Sequence, residues 1–569
     1  MIRGLPGLLV LLITLAACAP SVPRATEQPG QAPAAAPESG RTLAIAIRVE
    51  PATLAAKPIG AGGVTLTTTR RLFNATLAIF DDRGEAVPYL ARELPRLDSE
   101  SWRMESDGRM ETTYQLKPDL TWHDGIPLTA DDFVFAWQVY ATQELGVASA
   151  PPVNQIDEVV ATDPGTVLIR WKRPYLQAGM LTDGLPPLPS HLLGRSFQAG
   201  AADAFAADAF WTRDYVGSGP FKVQRWEPGS FIEGAAFAGH TLGRPRIERL
   251  RIVFIGDPNT TVANLLAGEV HFSADDSIRF QQGLTLKREW APTNGGSVLV
   301  KPDLWRATYV QLRSELASPR ALLDPRVRKA LAYSIDRDAL NGALFEGEGI
   351  MGDVPLIPPS VDYYAGASLG VTAYPYTPAR GEQLMTEAGF VKGGDGVYAG
   401  GSDGRLTLDL RTNGSSQNEA ELSILGAGWR QAGFDVKEMV VPQAQAQDGQ
   451  VRATFPALYT FSTPLGEETL AAHTTAGIPR PDTRWIGSNR GGWIDPQFDA
   501  LASAFTTTLD RGQRIQLIGG MTRLFADQLP AIPLYFNPIP VAHVAALRGP
   551  RVVPPDSAIA WNVHQWEFQ

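Results

Sequence analysis

The apolar and polar positions at the start of the chain predict a signal peptide followed by a linker. Residues 1–17 carry a basic residue, Arg3, and then an apolar run from Leu8 to Ala17. About ten apolar residues are too few to span a bilayer, and this order is typical of a secretion signal. Residues 18–40 are rich in Ala, Pro, Gly and Ser, so we expect a disordered linker without a core.

After residue 40 the pattern alternates between helical and strand periods. Thr129 and Asp132 match a capping box before an apolar-periodic run, and Asp324-Pro325 predicts a second helix start. Residues 419–431 predict a helix that stops at Gly433, and FDVKEMVV then predicts a strand. Near the end, RGQRIQLIGGMTRLFADQ predicts a helix and AIPLYF a buried strand. This alternation favours an α/β fold.

Composition and charge exclude some classes of function. The 569 residues suffice for several domain-sized units, and 44% are hydrophobic. The net charge of -10 argues against a nucleic-acid surface, because phosphate binding needs a positive field. No stretch after the signal is apolar and long enough to cross a membrane.

The only cysteine, Cys18, ends the sequence Leu15-Ala16-Ala17-Cys18, which resembles the bacterial lipobox. The resemblance implies cleavage before Cys18 and a lipid on its sulfur, so we expect a membrane anchor. An ordinary signal peptide with an incidental cysteine is the alternative. The rest of the chain has no thiol for a disulfide, a thiolate metal site or a nucleophile.

Several enzyme-like strings lack the context that their chemistry needs. Residues 366–370 match G-x-S-x-G without a preceding strand, and residues 347–352 match G-x-G-x-x-G after a helix. The seven histidines are scattered, and we expect His123-Asp124 to form a solvent-facing turn. The sequence therefore predicts no catalytic residue, no metal site and no cofactor.

Residues 114–137, YQLKPDLTWHDGIPLTADDFVFAW, closely resemble the signature of family 5 solute-binding proteins, the oligopeptide-, dipeptide- and nickel-binding receptors of ABC importers. Trp122 and Trp137 of this signature are expected in the core. Further segments resemble the family in the same order along the chain: 43–54, 72–94, 216–226, 324–345, 376–390, 489–503 and 511–536.

The resemblance implies a periplasmic-binding-protein-like clamshell of type II, in its large cluster C form. Its two lobes would close on the ligand by a hinge motion. We expect lobe I to comprise residues 41–73, 209–307 and 538–569, with an extra subdomain over 74–208. Lobe II would then be residues 308–537.

The function implied is a receptor that captures an oligopeptide or dipeptide-like solute and delivers it to an ABC permease and ATPase complex. A non-peptide ligand (a nickel chelate, an opine, a sugar or an antibiotic), a sensor, and a secreted hydrolase stay open as alternatives. We expect a monomer, exported and held by its lipid at the outer face of the bacterial cytoplasmic membrane.

Ligand identity is the point at which the resemblance weakens. Peptide-binding members usually carry an aspartate that pairs with the ligand's amino terminus, whereas residues 458–466, LYTFSTPLG, have no acidic group. Glu467-Glu468 follow directly and are a candidate substitute. By position in the family, the predicted ligand contacts are Trp305, Tyr309, Gln311, Tyr459, Phe461, Arg484, Trp485 and Asn537.

Overall fold

The computed structural model describes residues 42–57, 59, 66–145, 147–148, 151–401, 403–442, 445–446, 448–483 and 485–569. The predicted signal peptide and linker lie outside these residues. The α-helices are α1 Thr67–Phe73, α2 Ala130–Ala141, α3 Ser190–Gln198, α4 Ala202–Ala206, α5 Pro258–Ala267, α6 Phe280–Trp290, α7 Pro325–Tyr333, α8 Arg337–Phe345, α9 Tyr364–Ser368, α10 Pro378–Glu387, α11 Ser416–Ala432, α12 Gly449–Ala453, α13 Glu467–Ala471, α14 Pro496–Thr507 and α15 Arg511–Gln528.

The strands form one large mixed sheet and several small sheets. They are β1 Thr42–Ile47, β2 Ala78–Phe80, β3 Ala86–Pro88, β4 Trp102–Met104, β5 Met110–Gln115, β6 Ile156–Asp163, β7 Thr166–Trp171, β8 Phe221–Glu227, β9 Phe231–Ala236, β10 Arg249–Phe254, β11 Phe272–Ser273, β12 Gly296–Val310, β13 Ile350–Met351, β14 Val391–Lys392, β15 Tyr398–Gly400, β16 Gly404–Arg405, β17 Thr407–Asn413, β18 Asp435–Val441, β19 Leu458–Pro464, β20 Ala531–Val544, β21 Leu547–Arg548 and β22 Glu567–Phe568.

The large sheet runs through both predicted lobes in the order β18-β17-β19-β12-β20-β11-β1-β10-β9-β8, and β13 also pairs with β20. The long strands β12 and β20 lie antiparallel at its centre, from Gly296 opposite Val544 to Tyr309 opposite Ala531. Their register shifts between Pro302 and Trp305. Proline donates no ladder hydrogen bond, so the pairing is interrupted where the chain passes from one predicted lobe to the other.

A four-stranded antiparallel sheet, β4-β5-β7-β6, packs with α2 in the predicted extra subdomain. Thr129 and Asp132 form a capping box at the start of α2, as predicted. Trp122 Nε1 donates to Asp132 at 3.0 Å and is buried, whereas Trp137 is only half-buried. One continuous hydrophobic core joins this sheet to β1, so the division at residues 74 and 208 stays a prediction.

The lobe II part of the sheet is covered on both faces. Successive strand residues point to opposite sides, so Leu458 and Val310 join a core with α7, α10 and α11. Tyr459 and Tyr309 face the other side and join a core with α14 and α15. Alternate residues along a strand therefore lie on opposite faces of the sheet, and this alternation determines the face on which each predicted contact lies.

The structure confirms the predicted helices. Helices begin after Asp324 and Thr377, and α15 matches the predicted segment RGQRIQLIGGMTRLFADQ residue for residue. Helix α11 ends at Gly433, whose φ of 111° lies in the left-handed region that glycine adopts most easily. The helix begins at Ser416, three residues earlier than the sequence pattern suggested, because Ser415 caps it by accepting from Asn418 N.

The expectation that His123 lies in a solvent-facing turn is wrong. His123 is buried, its Nε2 lies 3.0 Å from Gly219 O, and Gly217 N donates to its Nδ1. Burial lowers the pKa of His123 to about 4, so the ring is neutral at pH 7. The imidazole hydrogen-bonds the WHDG segment to the chain around Gly217 and Gly219. These glycines lie about 95 residues further along, so a local sequence pattern could not predict the contact.

Candidate ligand-binding cleft

A cleft of about 590 Å³ lies between segments of predicted lobe I with its subdomain and segments of predicted lobe II. This size falls in the range of small-molecule sites. Its described lining comprises Phe80, Arg83, Gly84, Glu85, Ala86, Leu176, Gln177, Met180, Thr182, Asp183, Val361, Asp362, Tyr363, Leu465, Gly466, Glu467, Glu468, Thr469, Arg511, Pro554 and Asp556.

Carboxylates outnumber guanidinium groups around this cleft. Its described lining includes two arginines, and one of them, Arg511, already pairs with Asp362 at 3.3 Å and Glu467 at 3.2 Å. Across the cleft, Gln177 Nε2 donates to Glu468 Oε1 at 2.9 Å and joins the subdomain to lobe II. The remaining negative charge favours a ligand with a positively charged group.

Two carboxyl groups of the cleft are held less acidic than usual. Burial raises the pKa of Glu468, and the neighbouring charge of Glu467 raises it further. Burial also raises the pKa of Asp556, with Lys301 opposing and Glu467 adding to the rise. Both side chains retain solvent-exposed surface, so surrounding protein and like charge act on groups that a solute can still reach.

Four predicted contacts form one aromatic group on a single face of the lobe II sheet. Tyr309 and Phe461 stack with ring centroids 4.2 Å apart, Tyr459 meets Phe461 edge-on at 5.4 Å, and Trp305 meets Tyr309 edge-on at 6.1 Å. All four side chains are almost fully buried. The strand period brings them together, because β12 and β19 place these residues at alternate positions.

The hydroxyl groups of this aromatic cluster are already hydrogen-bonded within the protein. Tyr309 OH lies 2.8 Å from Thr463 Oγ1 and 3.2 Å from His473 Nε2, and Tyr459 OH donates to Asn413 Oδ1 at 2.6 Å. Burial raises the pKa of Tyr309 to about 12 and lowers that of His473 to about 4. This cluster is therefore neutral across the physiological pH range.

Two further predicted contacts, Gln311 and Asn537, differ in burial and in the hydrogen bonds that their side-chain amides form within the protein. Gln311 is fully buried, and its Nε2 donates to Ala453 O at 3.2 Å and Phe455 O at 2.6 Å. Asn537 is half-buried, and its Nδ2 donates to Ser462 Oγ at 3.0 Å. Asn537 is thus the better placed of the two to meet a solute, while Gln311 holds the chain around residue 454.

The remaining predicted residues are placed as follows. Arg484 and Cys18 lie outside the described residues. Trp485 is half-buried with φ 61°, an uncommon conformation for a bulky side chain, and it packs closely on Gly449. A Cβ atom on Gly449 would lie 2.9 Å from the Trp485 Cβ, so this glycine permits the close approach of α12.

Comparison with known proteins decides the family. The model of the bacterial extracellular solute-binding proteins, family 5 (middle region), matches residues 88–466. The chain belongs to this family. Members of the family are solute-binding receptors rather than enzymes. The match includes the WHDG segment and residues 458–466, which have no acidic group.

This family 5 protein is similar to curated relatives over most of its length. The oligopeptide-binding protein AppA of Bacillus subtilis is 25% identical over 448 residues, which cover 76% of this chain and 75% of AppA. The dipeptide-binding protein of Escherichia coli is 24% identical over 500 residues, covering 81% and 83% of the two chains.

Solved structures share the fold. The structure of NikZ from Campylobacter jejuni in complex with Ni(L-His) matches with a TM-score of 0.68 and 22% identity, covering 92% of this family 5 protein and 99% of NikZ. This likeness supports the predicted periplasmic-binding-protein clamshell. No helix in the part of the chain described is long and apolar enough to cross a membrane.

Sequence reasoning missed two arginines beside the aromatic cluster. The guanidinium carbons of Arg490 and Arg452 lie 4.5 Å and 5.7 Å from the ring centroid of Phe461. Arg490 follows Asn489, whose side chain donates to Trp493 O at 2.6 Å and accepts from Trp493 N at 2.9 Å. The sequence signal that could have found Arg490 is its position five residues after Trp485, a predicted ligand contact.

Proposed function

We propose that this protein is the solute receptor of an ABC importer and captures a peptide between its two lobes for delivery to a membrane permease. The observation that carries the proposal is the cleft lined from both predicted lobes in a member of family 5. The oligopeptide- and dipeptide-binding names of its relatives indicate the class of ligand. As a receptor it performs no chemistry on the solute.

The charge of the cleft supports a ligand with an amino group. The segment at 458–466 lacks the acidic residue usual in peptide-binding members. Glu468 and Asp556 instead place carboxyl groups in the cleft, each with a raised pKa. An ammonium group beside them would favour their charged forms, so binding and ionisation would reinforce each other.

A non-peptide ligand is the second candidate. Two observations favour it: the hydrophobic residue Phe461 stands in the segment that lacks an acid, and the structurally similar NikZ was solved with Ni(L-His). Among the described residues no group of three His, Cys, Asp or Glu side chains is arranged to hold a metal ion. A metal would therefore enter as a chelate that brings its own ligands.

Native mass spectrometry of the protein purified from cells tests the ligand class. We expect a series of adduct masses that match short peptides. A single non-peptide mass would replace the peptide proposal with the second candidate. Gentle denaturation should release the adducts, and the refolded protein should regain them when peptide is added. This is the control for specific capture.

We further propose that the protein is monomeric and lipid-anchored through Cys18 at the outer face of the cytoplasmic membrane. The lipobox-like sequence supports the anchor. Replacing Cys18→Ser should release the protein from the membrane fraction without changing ligand binding, because Cys18 is far along the sequence from every predicted ligand contact. Retention of the Cys18→Ser protein in membranes would contradict the anchor.

A further inference from the structure

Four cations lie together on one side of the outer strands of predicted lobe I. The pairing of β8, β9, β10 and β1 places Lys222 in one cross-strand row with Arg249. The next row on the same side of the sheet holds Arg225 and Arg251. Leu250, between the two β10 arginines, points to the opposite side and joins the hydrophobic core. We call the surface formed by the four cations the basic face.

The basic face keeps a net positive charge. Of its four cations, only Arg225 forms an ion pair within the described ranges, with Glu227 at 2.7 Å. Glu233 is half-buried and lies in the row of Arg225 and Arg251. The positive surface is thus local, because the whole chain has a net charge of -10.

Two of the guanidinium groups lie on an aromatic ring. The guanidinium carbons of Arg251 and Arg225 are 3.9 Å and 5.3 Å from the ring centroid of Phe231, which is buried beneath them. A cation–π contact holds a guanidinium group in place without neutralising its charge. Both arginines remain exposed, so their positive charges are held at the surface and can meet a partner outside the chain.

The chain that leads to the proposed lipid anchor joins the sheet beside the basic face. Strand β1 begins at the exposed residue Thr42, which lies opposite Arg249 in the parallel pair of β1 and β10. The residues between Cys18 and Thr42 can span at most about 85 Å, the length of a fully extended chain. A lipid on Cys18 would therefore confine the basic face close to a membrane, where even weak contacts are favoured by a high effective concentration.

Anionic phospholipid headgroups have the chemistry that this surface fits. The planar guanidinium group binds phosphate oxygens with two parallel hydrogen bonds. Near an anionic membrane, each Lys or Arg favours association by about fivefold. The acidic remainder of the chain is repelled by the same negative potential, so the membrane would select the basic face.

We propose that the basic face docks the receptor on the anionic phospholipid headgroups of the membrane that holds its anchor. The inference rests on the proposed lipid at Cys18 and adds an orientation, in which lobe I meets the membrane through the outer strands of its sheet. Two other occupants are tested against it: a second copy of the chain, and the segment 19–40, which carries Glu27 and Glu38.

Energy transfer to the lipid surface measures docking in the full chain, purified with its lipid and inserted into vesicles with a dye on their headgroups. The vesicles contain phosphatidylcholine alone or with one quarter phosphatidylglycerol. The donor dye is attached to Ser230→Cys beside the basic face or to Glu419→Cys, an exposed control position on α11. We expect phosphatidylglycerol to raise transfer from position 230 more than from position 419. About 0.5 M NaCl should abolish the rise by screening.

Double variants assign the effect to the basic face. Arg249→Gln with Arg251→Gln should lower the ratio of docked to undocked protein by about tenfold or more. Arg405→Gln with Arg430→Gln, two exposed arginines that form ion pairs in lobe II, changes the net charge equally and should leave docking intact. If the first double variant does not fold by circular dichroism, Lys222→Gln with Arg249→Gln replaces it and keeps the contact of Arg251 with the aromatic ring.

Three results would overturn the proposal. The first is equal docking by both double variants, or an equal rise in neutral vesicles. The second is transfer between labelled copies that rises with their density while transfer to lipid does not, which would assign the face to a second copy. The third is a rise only after Glu27→Gln with Glu38→Gln, which would assign the face to the segment 19–40.

The mass of the purified protein separates failure of the basic face from failure of the anchor. If Cys18 carries no lipid, the anchor proposal fails, and the same protein is tested by flotation with both kinds of vesicle at low salt, where screening is weak. Flotation with phosphatidylglycerol vesicles that Arg249→Gln with Arg251→Gln abolishes would support the basic face without the anchor. Absence of flotation would overturn it. Solute capture is measured separately and decides the receptor proposal alone.

Discussion

Two arginines on opposite faces of one sheet, Arg306 and Arg490, have different surroundings. Arg306 on β12 is bonded through Nη2 to Glu421 Oε1 at 2.7 Å and to Thr412 Oγ1 at 2.9 Å. Arg490, over Phe461 on the other face, has no ion pair among the described residues. Arg306 aligns with Ser462, the residue after Phe461, so a step of one strand position separates the two environments.

Arg306 is a structural charge, because its partners lie within the protein core. The Arg306 and Glu421 side chains are only 4% and 0% exposed, and Tyr535 OH donates to Glu421 Oε2 at 2.5 Å. Burial is the largest single influence and would lower the pKa of Arg306, but Glu421 and Tyr535 together, through their charges and hydrogen bonds, outweigh it and the pKa is raised. The charges of Arg306 and Glu421 are paired within the protein, whereas Arg490 forms no ion pair among the described residues.

The largest expected effect comes from breaking the satisfied pair. Glu421→Gln should lower the free energy of unfolding by about 3–5 kcal/mol, because it leaves the Arg306 charge buried without a partner. Denaturant unfolding measures this. The control Glu438→Gln removes the partner of Arg430 at the surface and should cost no more than about 1 kcal/mol. Equal losses in both variants would show that burial does not distinguish the two pairs.

A neutral polar group should show an intermediate effect. Gln311→Leu should cost about 1–3 kcal/mol, because Ala453 O and Phe455 O would lose the donor that satisfies them. Gln383→Leu, on the exposed side of α10, is the matched control and should change little. If Gln311→Leu is as stable as the control but loses ligand, Gln311 acts as a ligand contact and its hydrogen bonds contribute little to stability.

The unsatisfied arginine should affect stability least. Arg490→Gln removes a cation–π contact and also removes repulsion from Arg452, so the free energy of unfolding should change by no more than about 1 kcal/mol. Denaturant unfolding measures this change in the free energy of unfolding. A loss as large as that of Glu421→Gln would mean that Arg490 is a structural residue.

Glu468 in the acidic cleft should make the stability of the protein depend on pH. The folded-state pKa of Glu468 is raised, so its contribution to stability is fully present below the unfolded pKa and is lost as the pH rises through the folded pKa. Glu468→Gln should therefore gain stability relative to the unaltered protein at pH 7 and lose that advantage at pH 4. Melting temperatures at both pH values measure this, with Glu419→Gln as an exposed control. An identical difference at both pH values would contradict the assignment.

Local structure was largely predictable from the sequence. The cap at Asp324, the glycine stop at Gly433 and the whole of α15 follow from residues within one or two helical turns. The family could also be predicted from the sequence, because several segments resemble it in the same order along the chain, and the family model matches residues 88–466. His123 was misjudged because its partners, Gly217 and Gly219, come from a distant segment.

The candidate site was predictable only in part. The strand positions of Tyr309, Tyr459 and Phe461 placed them together, since β-strands repeat every two residues. Their burial, and the use of Gln311 as a structural bridge, depend on how α12, α14 and α15 cover the sheet. Ligand contact by the predicted residues stays a prediction.

The helices, the strands and the family could be predicted from the sequence, because periodicity, capping and motifs are local features. Which charges pair with each other follows from the tertiary fold. Arg306 meets Glu421 across 115 positions, and Gln177 meets Glu468 across 291. The energy of a charge depends on its distance to other charges and to water, and folding alone sets those distances.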